Sequence, residues 1–274
     1  MGKNFLTIMY IVMMGMVAFT ACGNKENKEE AIGKSMTENL PGKWTITKSY
    51  EKKDGEWKEV IEPEGSGTTY LFRTDGSMMS AVTYANHDTY LRSRTWAVED
   101  HDSTLKINYK TYPVEYTLMR LTADELEFGY DKATATQEGE FKWLFRRIDE
   151  GQKNFAERLV GRWHFSKSYE KKNGEWKEIT YGIPDEGWHE YTEQGTFSTY
   201  SRQGDNEHTT GPMQWKANAV TDTVSYKPLD SDKVSRVRIT LEDDRTMYVF
   251  YSVNFDPATG EMREGDYRDL LLKE

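Results

Sequence analysis

The sequence predicts an all-β protein, two up-and-down antiparallel barrels in tandem after an export signal, and three observations predict it. Short segments such as "WTITKSY", "TYLFRT", "LKINYK", "VEYTLMRL" and "LEFGY" alternate apolar or aromatic with polar residues, the period of a half-buried strand. Turn-forming residues ("DG", "TDG", "VEDHDS", "TADE") separate these segments, so that eight or nine short strands fit in a unit of about 110 residues, as in a closed meander. The chain also repeats itself. "LPGKWTITKSYEKKDGEWKEV" from Leu40 aligns with "LVGRWHFSKSYEKKNGEWKEI" from Leu159 at an offset of 119, and within it "KSYEKKDGEWKE" returns with eleven of twelve residues identical. At the same offset Gly76 meets Gly195 and Trp96 meets Trp215.

The first element, residues 1–21, has one lysine followed by an apolar run from Phe5 to Ala21, the layout of a secretory signal peptide. Cys22, the only cysteine, follows the small residues of "AFTAC", a segment that resembles a bacterial lipobox. That resemblance implies cleavage before Cys22 and acylation of its thiol by chains such as palmitate. One acyl chain binds a membrane only marginally, so a stable anchor needs more than one. The competing reading is a transmembrane anchor, since about 17 apolar residues just span a bilayer; Thr7, Gly15 and Thr20 dilute the run and disfavour it. Residues 22–37, rich in Lys, Glu and Asn, are expected to form a flexible tether. The expected location is a lipid-anchored protein of the cell envelope, at the outer membrane on its periplasmic or surface face.

Residues 38–150 form the first predicted barrel, 151–158 a linker and 159–274 the second barrel. The linker "GQKNFAERLV" places Phe155, Leu159 and Val160 on one helical face, and its shortness predicts contact between the two domains. The net charge of −10 argues against nucleic acid and against electrostatic docking to anionic lipid. Aromatic residues make up 13 %, enough to build a core from rings.

Asp54-Gly55 and Asn173-Gly174 read as two-residue hairpin turns, so Lys53 faces Glu56 and Glu51 faces Lys58 on a wet face. Unbroken alternation then puts Trp44, Ile46, Lys48, Tyr50 and Trp57 on the inward face, and Trp163, Phe165, Lys167, Tyr169 and Trp176 in the second unit. Lys48, Tyr50, Trp57, Lys167, Tyr169 and Trp176 are therefore the candidate ligand-binding residues. In one reading the lysines hold an anionic head group while the rings stack on an apolar body. In the other they pair with Glu59 and Glu178 or reach the barrel mouth, and the rings fill the interior. A β-bulge would exchange the two faces.

Catalysis finds no motif. His87, His101, His164, His189 and His208 lack metal-ligand spacing, and "HEY" at His189 lacks the second histidine of a zinc helix. Acidic runs at Glu242–Asp244 and Asp230–Asp232 fall in predicted turns, short of the six or more oxygens of a calcium site. No cofactor or metal is expected, and no enzymatic activity.

Gly42-Lys43-Trp44 and Gly161-Arg162-Trp163 each match the G-x-W that opens the first strand of lipocalins, and the order that follows extends the match. An aromatic strand precedes a turn glycine (Tyr70, Phe72, Gly76; Tyr191, Gly195), then come a central tryptophan (Trp96; Trp215) and, in the first unit, "Y-x-L-x-x-L" from Tyr116. The chain resembles the bacterial lipocalin-like domain of envelope lipoproteins. The resemblance implies that the G-x-W tryptophans close one end of each barrel under a cation of the last strand: Arg146, or its neighbour Arg147, over Trp44, and Lys273 over Trp163. It also implies binding of a small apolar or amphipathic ligand, the alternative being a non-catalytic surface or structural protein with filled barrels that contacts a protein or glycan.

Overall fold

The computed structural model describes residues 36–99, 103–109, 112–130, 139–181, 183–256 and 261–274. Cys22, nearly all of the tether and His101 lie outside them. The protein is all-β. The N-terminal half has a short helix α1 (Met36–Asn39), then β1 (Gly42–Lys53), β2 (Glu56–Val60), β3 (Gly67–Phe72), β4 (Ser77–Thr83), β5 (Asp88–Glu99), β6 (Thr104–Asn108), β7 (Pro113–Leu121), β8 (Glu125–Tyr130) and β9 (Phe141–Ile148). The C-terminal half repeats the order with α2 (Phe155–Leu159), β10 (Gly161–Lys172), β11 (Glu175–Ile179), β12 (Glu186–Tyr191), β13 (Thr196–Gln203), β14 (Asn206–Asn218), β15 (Thr223–Pro228), β16 (Ser235–Leu241), β17 (Thr246–Asp256) and β18 (Glu261–Lys273).

From β3 to β9 and from β12 to β18 each strand pairs antiparallel with the next, β3 and β12 pair with β1 and β10, and β9 returns to β1 as β18 returns to β10, which closes a ring in each half. The start of β1 pairs with β3 and its end with β2, so β2 and β3 share one position, as β11 and β12 do. The two hairpins have the expected register, Lys53 opposite Glu56 and Lys172 opposite Glu175. Both turn residues have positive φ in each copy (Asp54 55°, Gly55 83°; Asn173 54°, Gly174 85°), the type I′ geometry that suits the twist of the strands.

One end of each ring is plugged from the sequence outward. Trp44 and Trp163 are wholly buried, and each indole N–H donates to a carbonyl of the preceding segment, Leu40 O at 2.9 Å and Leu159 O at 2.7 Å. Above Trp44 lies Arg147, its guanidinium 4.2 Å from the ring centre and donating to Asn39 O, Pro41 O and Ala123 O. Arg146 does not take this place: it is exposed and opposes Thr45 and Glu125, because neighbouring residues of a strand point to opposite faces. Lys273 lies 4.9 Å above Trp163 and donates to Arg158 O at 3.0 Å. This packing explains the glycine of G-x-W. A Cβ on Gly42 would stand 2.0 Å from Arg147 Nη1, and one on Gly161 2.6 Å from Lys273 Cε, while φ values of +136° and +129° already favour glycine.

The halves share a core. Met79, Ala81 and Leu91 of the N-terminal half pack in one buried cluster with Trp163, Tyr191 and Trp215. Strand β5 pairs briefly with β14 (Thr89 with Ala217, Asp88 with Asn218), and Arg73 forks onto Glu193 at 2.6 and 3.0 Å. Lys43 and Glu157 form a buried ion pair at 2.8 Å, their side chains 2 % and 4 % exposed. Glu157 is also the third residue of the α2 capping box: Asn154 N–H donates to its carboxylate, and its own N–H donates to Asn154 Oδ1.

Lys43→Met is expected to lower stability in urea titration by about 3–5 kcal/mol, because a buried carboxylate loses its counter-ion. Adding Glu157→Gln should restore part of the loss, since glutamine keeps the capping box without the charge.

Candidate functional site

The repeated hairpin does not line a barrel. The register of β1 against β9 shifts between Ile46 and Lys48, and that of β10 against β18 between Phe165 and Lys167. One extra residue, Thr47 or Ser166, reverses the alternation. Ser49 and Ser168 consequently point inward and are buried, whereas Lys48, Tyr50, Trp57, Lys167, Tyr169 and Trp176 turn outward, correcting the inward placement expected for these six. Lys48 pairs with Glu59 at 3.0 Å and Lys167 with Glu178 at 2.7 Å, all about half exposed. Hydrogen bonding to these glutamates raises both lysine pKa values. The rings form outer cation–aromatic clusters. Lys142 lies 5.1 Å from both Tyr50 and Trp57, and Arg268 lies 5.0 Å from Tyr169, 4.6 Å from Trp176 and 4.5 Å from Tyr248.

Inside, the two rings differ. The N-terminal ring is filled by its own aromatics: Phe128 stacks on Phe145 at 4.7 Å, Tyr116 meets Phe128 at 5.2 Å, Tyr70 meets Phe145 at 5.5 Å and Trp143 meets Tyr130 at 5.4 Å. Strand register identifies the equivalent positions of the C-terminal ring. Trp44 opposes Tyr70, and Trp163 opposes His189. Ser49 opposes Trp143, and Ser168 opposes Asp269. Trp143 opposes Phe128, and Asp269 opposes Val249. By the same logic Val237 stands where Tyr116 does. Two tyrosines, a phenylalanine and a tryptophan are thus replaced by His189, Val237, Val249 and Asp269.

The exchange leaves space. A cavity of about 810 Å³ opens in the C-terminal ring, lined on the alternate residues Thr199, Ser201 and Gln203 of β13 and Val249, Tyr251 and Val253 of β17. Phe165, His189, Val237 and Asp269 complete its inner wall. Its size falls within the range of about 300–1,000 Å³ typical of small-molecule sites, and its wall is mixed, with polar side chains more numerous than the apolar Phe165, Pro184, Val237, Val249 and Val253.

Those polar groups are tuned by burial. Asp269 accepts hydrogen bonds from Ser168 Oγ and from Tyr251 Oη, the latter at 2.8 Å. Loss of solvent still raises its carboxyl pKa against the pull of these two donors. His189 sits edge-on to Phe165 and Phe197 at 5.0 and 5.3 Å, and burial lowers its pKa to about 4. Its Nδ1 is buried without a hydrogen-bond partner. A neutral imidazole beside a carboxyl already engaged by two donors suits an uncharged hydrogen-bonding group better than an anion.

Neither histidine spacing nor composition singles these residues out, and sequence reasoning missed Ser168, Val237, Val249, Tyr251 and Asp269. The signal was present in the repeat: where one copy keeps large rings and the other places small or polar side chains, an interior must differ in volume. Among the described residues no group of His, Cys, Asp or Glu is placed to hold a metal ion, and no helix is long and apolar enough to cross a membrane.

No protein-family model matches the sequence, and no curated protein matches it. Among solved structures it is similar to a lipocalin-like protein from Bacteroides uniformis, with 16 % identity, a TM-score of 0.30, and coverage of 40 % of this chain and 99 % of that one.

Stability should vary with pH in two opposed ways. The unfolded chain protonates His189 below about pH 6.5, while the fold resists protonation until about pH 4, so stability falls across this window by roughly 2–3 kcal/mol as pH drops. His189→Phe should flatten that part of the urea-midpoint profile. Asp269 has a raised pKa in the fold, so its contribution is present at low pH and is lost as pH rises through that value; Asp269→Asn should remove this dependence.

Proposed function

We propose that the protein is a lipid-anchored envelope lipoprotein of two tandem lipocalin-like domains, in which the C-terminal barrel binds a small apolar or amphipathic molecule and the N-terminal barrel serves as a packed scaffold. The observation that supports this most is the cavity of about 810 Å³ created where His189, Val237, Val249 and Asp269 stand in place of four large rings. The apolar body of the ligand would lie against Phe165, Val237 and Val249, and a neutral hydroxyl would reach His189 Nδ1 or donate to the Asp269 carboxyl. No step of bond making or breaking is assigned to these groups; the role is binding.

A second reading rests on the hairpins. Their near identity coincides with two outer cation–aromatic clusters, Tyr50, Trp57 and Lys142 in one copy and Tyr169, Trp176 and Arg268 in the other. Ring faces and cations displayed twice suit contact with a protein or glycan surface.

Binding is tested by tryptophan fluorescence on the full chain titrated with long-chain fatty acids and steroid alcohols. Saturable quenching is expected, and Val237→Tyr with Val249→Phe should weaken it at least about tenfold by refilling the ring. Lys48→Ala with Tyr50→Ala should leave it unchanged. Absence of saturable binding by every probe, or binding indifferent to the refilled ring, would defeat the proposal. The anchor is tested separately: Cys22→Ala should move the protein from the membrane to the soluble fraction.

A further inference from the structure

We propose a second binding site, in the cleft between the two halves, for a small organic anion that carries a flat ring. The cleft encloses about 490 Å³ and is separate from the C-terminal cavity, with which it shares no wall residue. Arg92 and Arg94 of β5 face it from the N-terminal half, and Lys216 of β14 and Lys227 of β15 from the C-terminal half. Among the described residues no carboxylate lines it. In a chain with 46 acidic and 36 basic residues, four cations without an acid invert the sign of the surrounding surface.

The cations are not equally satisfied. Lys216 is held by Asp88 at 2.5 Å and Lys227 by Asp232 at 2.8 Å, both from outside the cleft. Among the described residues no ion pair engages Arg92 or Arg94. Arg94 donates from Nη1 to its neighbour's carbonyl, Ser93 O, at 2.8 Å, while its Nε is buried without a hydrogen-bond partner. Burial and the adjacent Arg92 both disfavour its charge. An anion between the two guanidiniums would relieve the repulsion and fill the empty donor, and the planar fork of arginine matches carboxylate and phosphate oxygens.

The ring preference comes from the aromatic walls. The Arg94 guanidinium lies 4.9 Å from the centre of Tyr109, and Lys216 Nζ lies 5.5 Å from the centre of Tyr90. Both rings line the cleft. A flat ring between Tyr90 and Tyr109 would place its acidic substituent at Arg92 and Arg94.

Isothermal titration calorimetry of the full chain with 2-naphthoate, 1-naphthyl phosphate and the neutral 2-naphthylmethanol tests this. At least one of the two anions is expected to bind at least about tenfold more tightly than the alcohol, with affinity that falls as salt rises; which one binds better separates a carboxylate from a phosphate ligand. Arg92→Gln with Arg94→Gln should weaken the anion at least about tenfold, whereas Val237→Tyr, in the other cavity, should not. Lys227→Gln, an exposed change that leaves the arginines in place, should weaken it less and serves if the double variant fails to fold. Equal affinity for anion and alcohol, affinity indifferent to salt, or no binding of either anion up to about 1 mM would overturn the proposal.

Discussion

What the two rings enclose depends on one extra residue in each first strand. A strand turns successive side chains to opposite faces, so Thr47 and Ser166, by interrupting the ladder, reverse the sense of everything that follows in β1 and β10. Before the bulge Trp44 and Trp163 point inward and become the plugs. After it Ser49 and Ser168 point inward, and the tyrosine, tryptophan and lysines of the hairpin are delivered to the outside. Without the bulge Lys48 and Lys167 would carry their charges, with those of Glu59 and Glu178, into the rings, which is costly in a low-dielectric space even for a pair. The inner hydroxyl that the bulge supplies is also the one that orients Asp269.

Duplication then allows the interiors to diverge while both ends stay closed. The G-x-W plugs are retained in both halves, each with its cation and its indole hydrogen bond. One ring kept stacked aromatics, which pack against one another. The other replaced four of them, exchanging self-packing for a lined cavity. Shared core and shared register keep the second ring in shape while its interior is less completely filled.

Much of this was legible. The all-β class, the repeat, the hairpin register and the short α2 follow from period-2 alternation, turn chemistry and the apolar helical face of Phe155, Leu159 and Val160, which are local signals. The outward turn of Tyr50 and Trp57 was not, because a bulge depends on the pairing of β1 with β9, nearly a hundred residues away. The choice between Arg146 and Arg147 failed for the same reason: two adjacent cations differ only in parity, and parity is fixed by register. His189 and Asp269 were hidden differently. His189 aligns with Tyr70 at the offset of 119 but looks like an ordinary polar residue until that strand is known to face inward, and the counterpart of Asp269 is known only from the pairing.

Gly195 holds a further consequence. Its missing side chain lets the Leu91 carbonyl approach to where a Cβ would stand only 2.6 Å away, and around this contact Met79, Ala81 and Leu91 are covered by the second ring. A chain emerging from the ribosome completes the first ring while that apolar strip is still bare. Until the last strand, β18, has closed on β10, the nascent molecule therefore presents a sticky face to its neighbours, and its folding is a race between the arrival of its own second half and capture by something else.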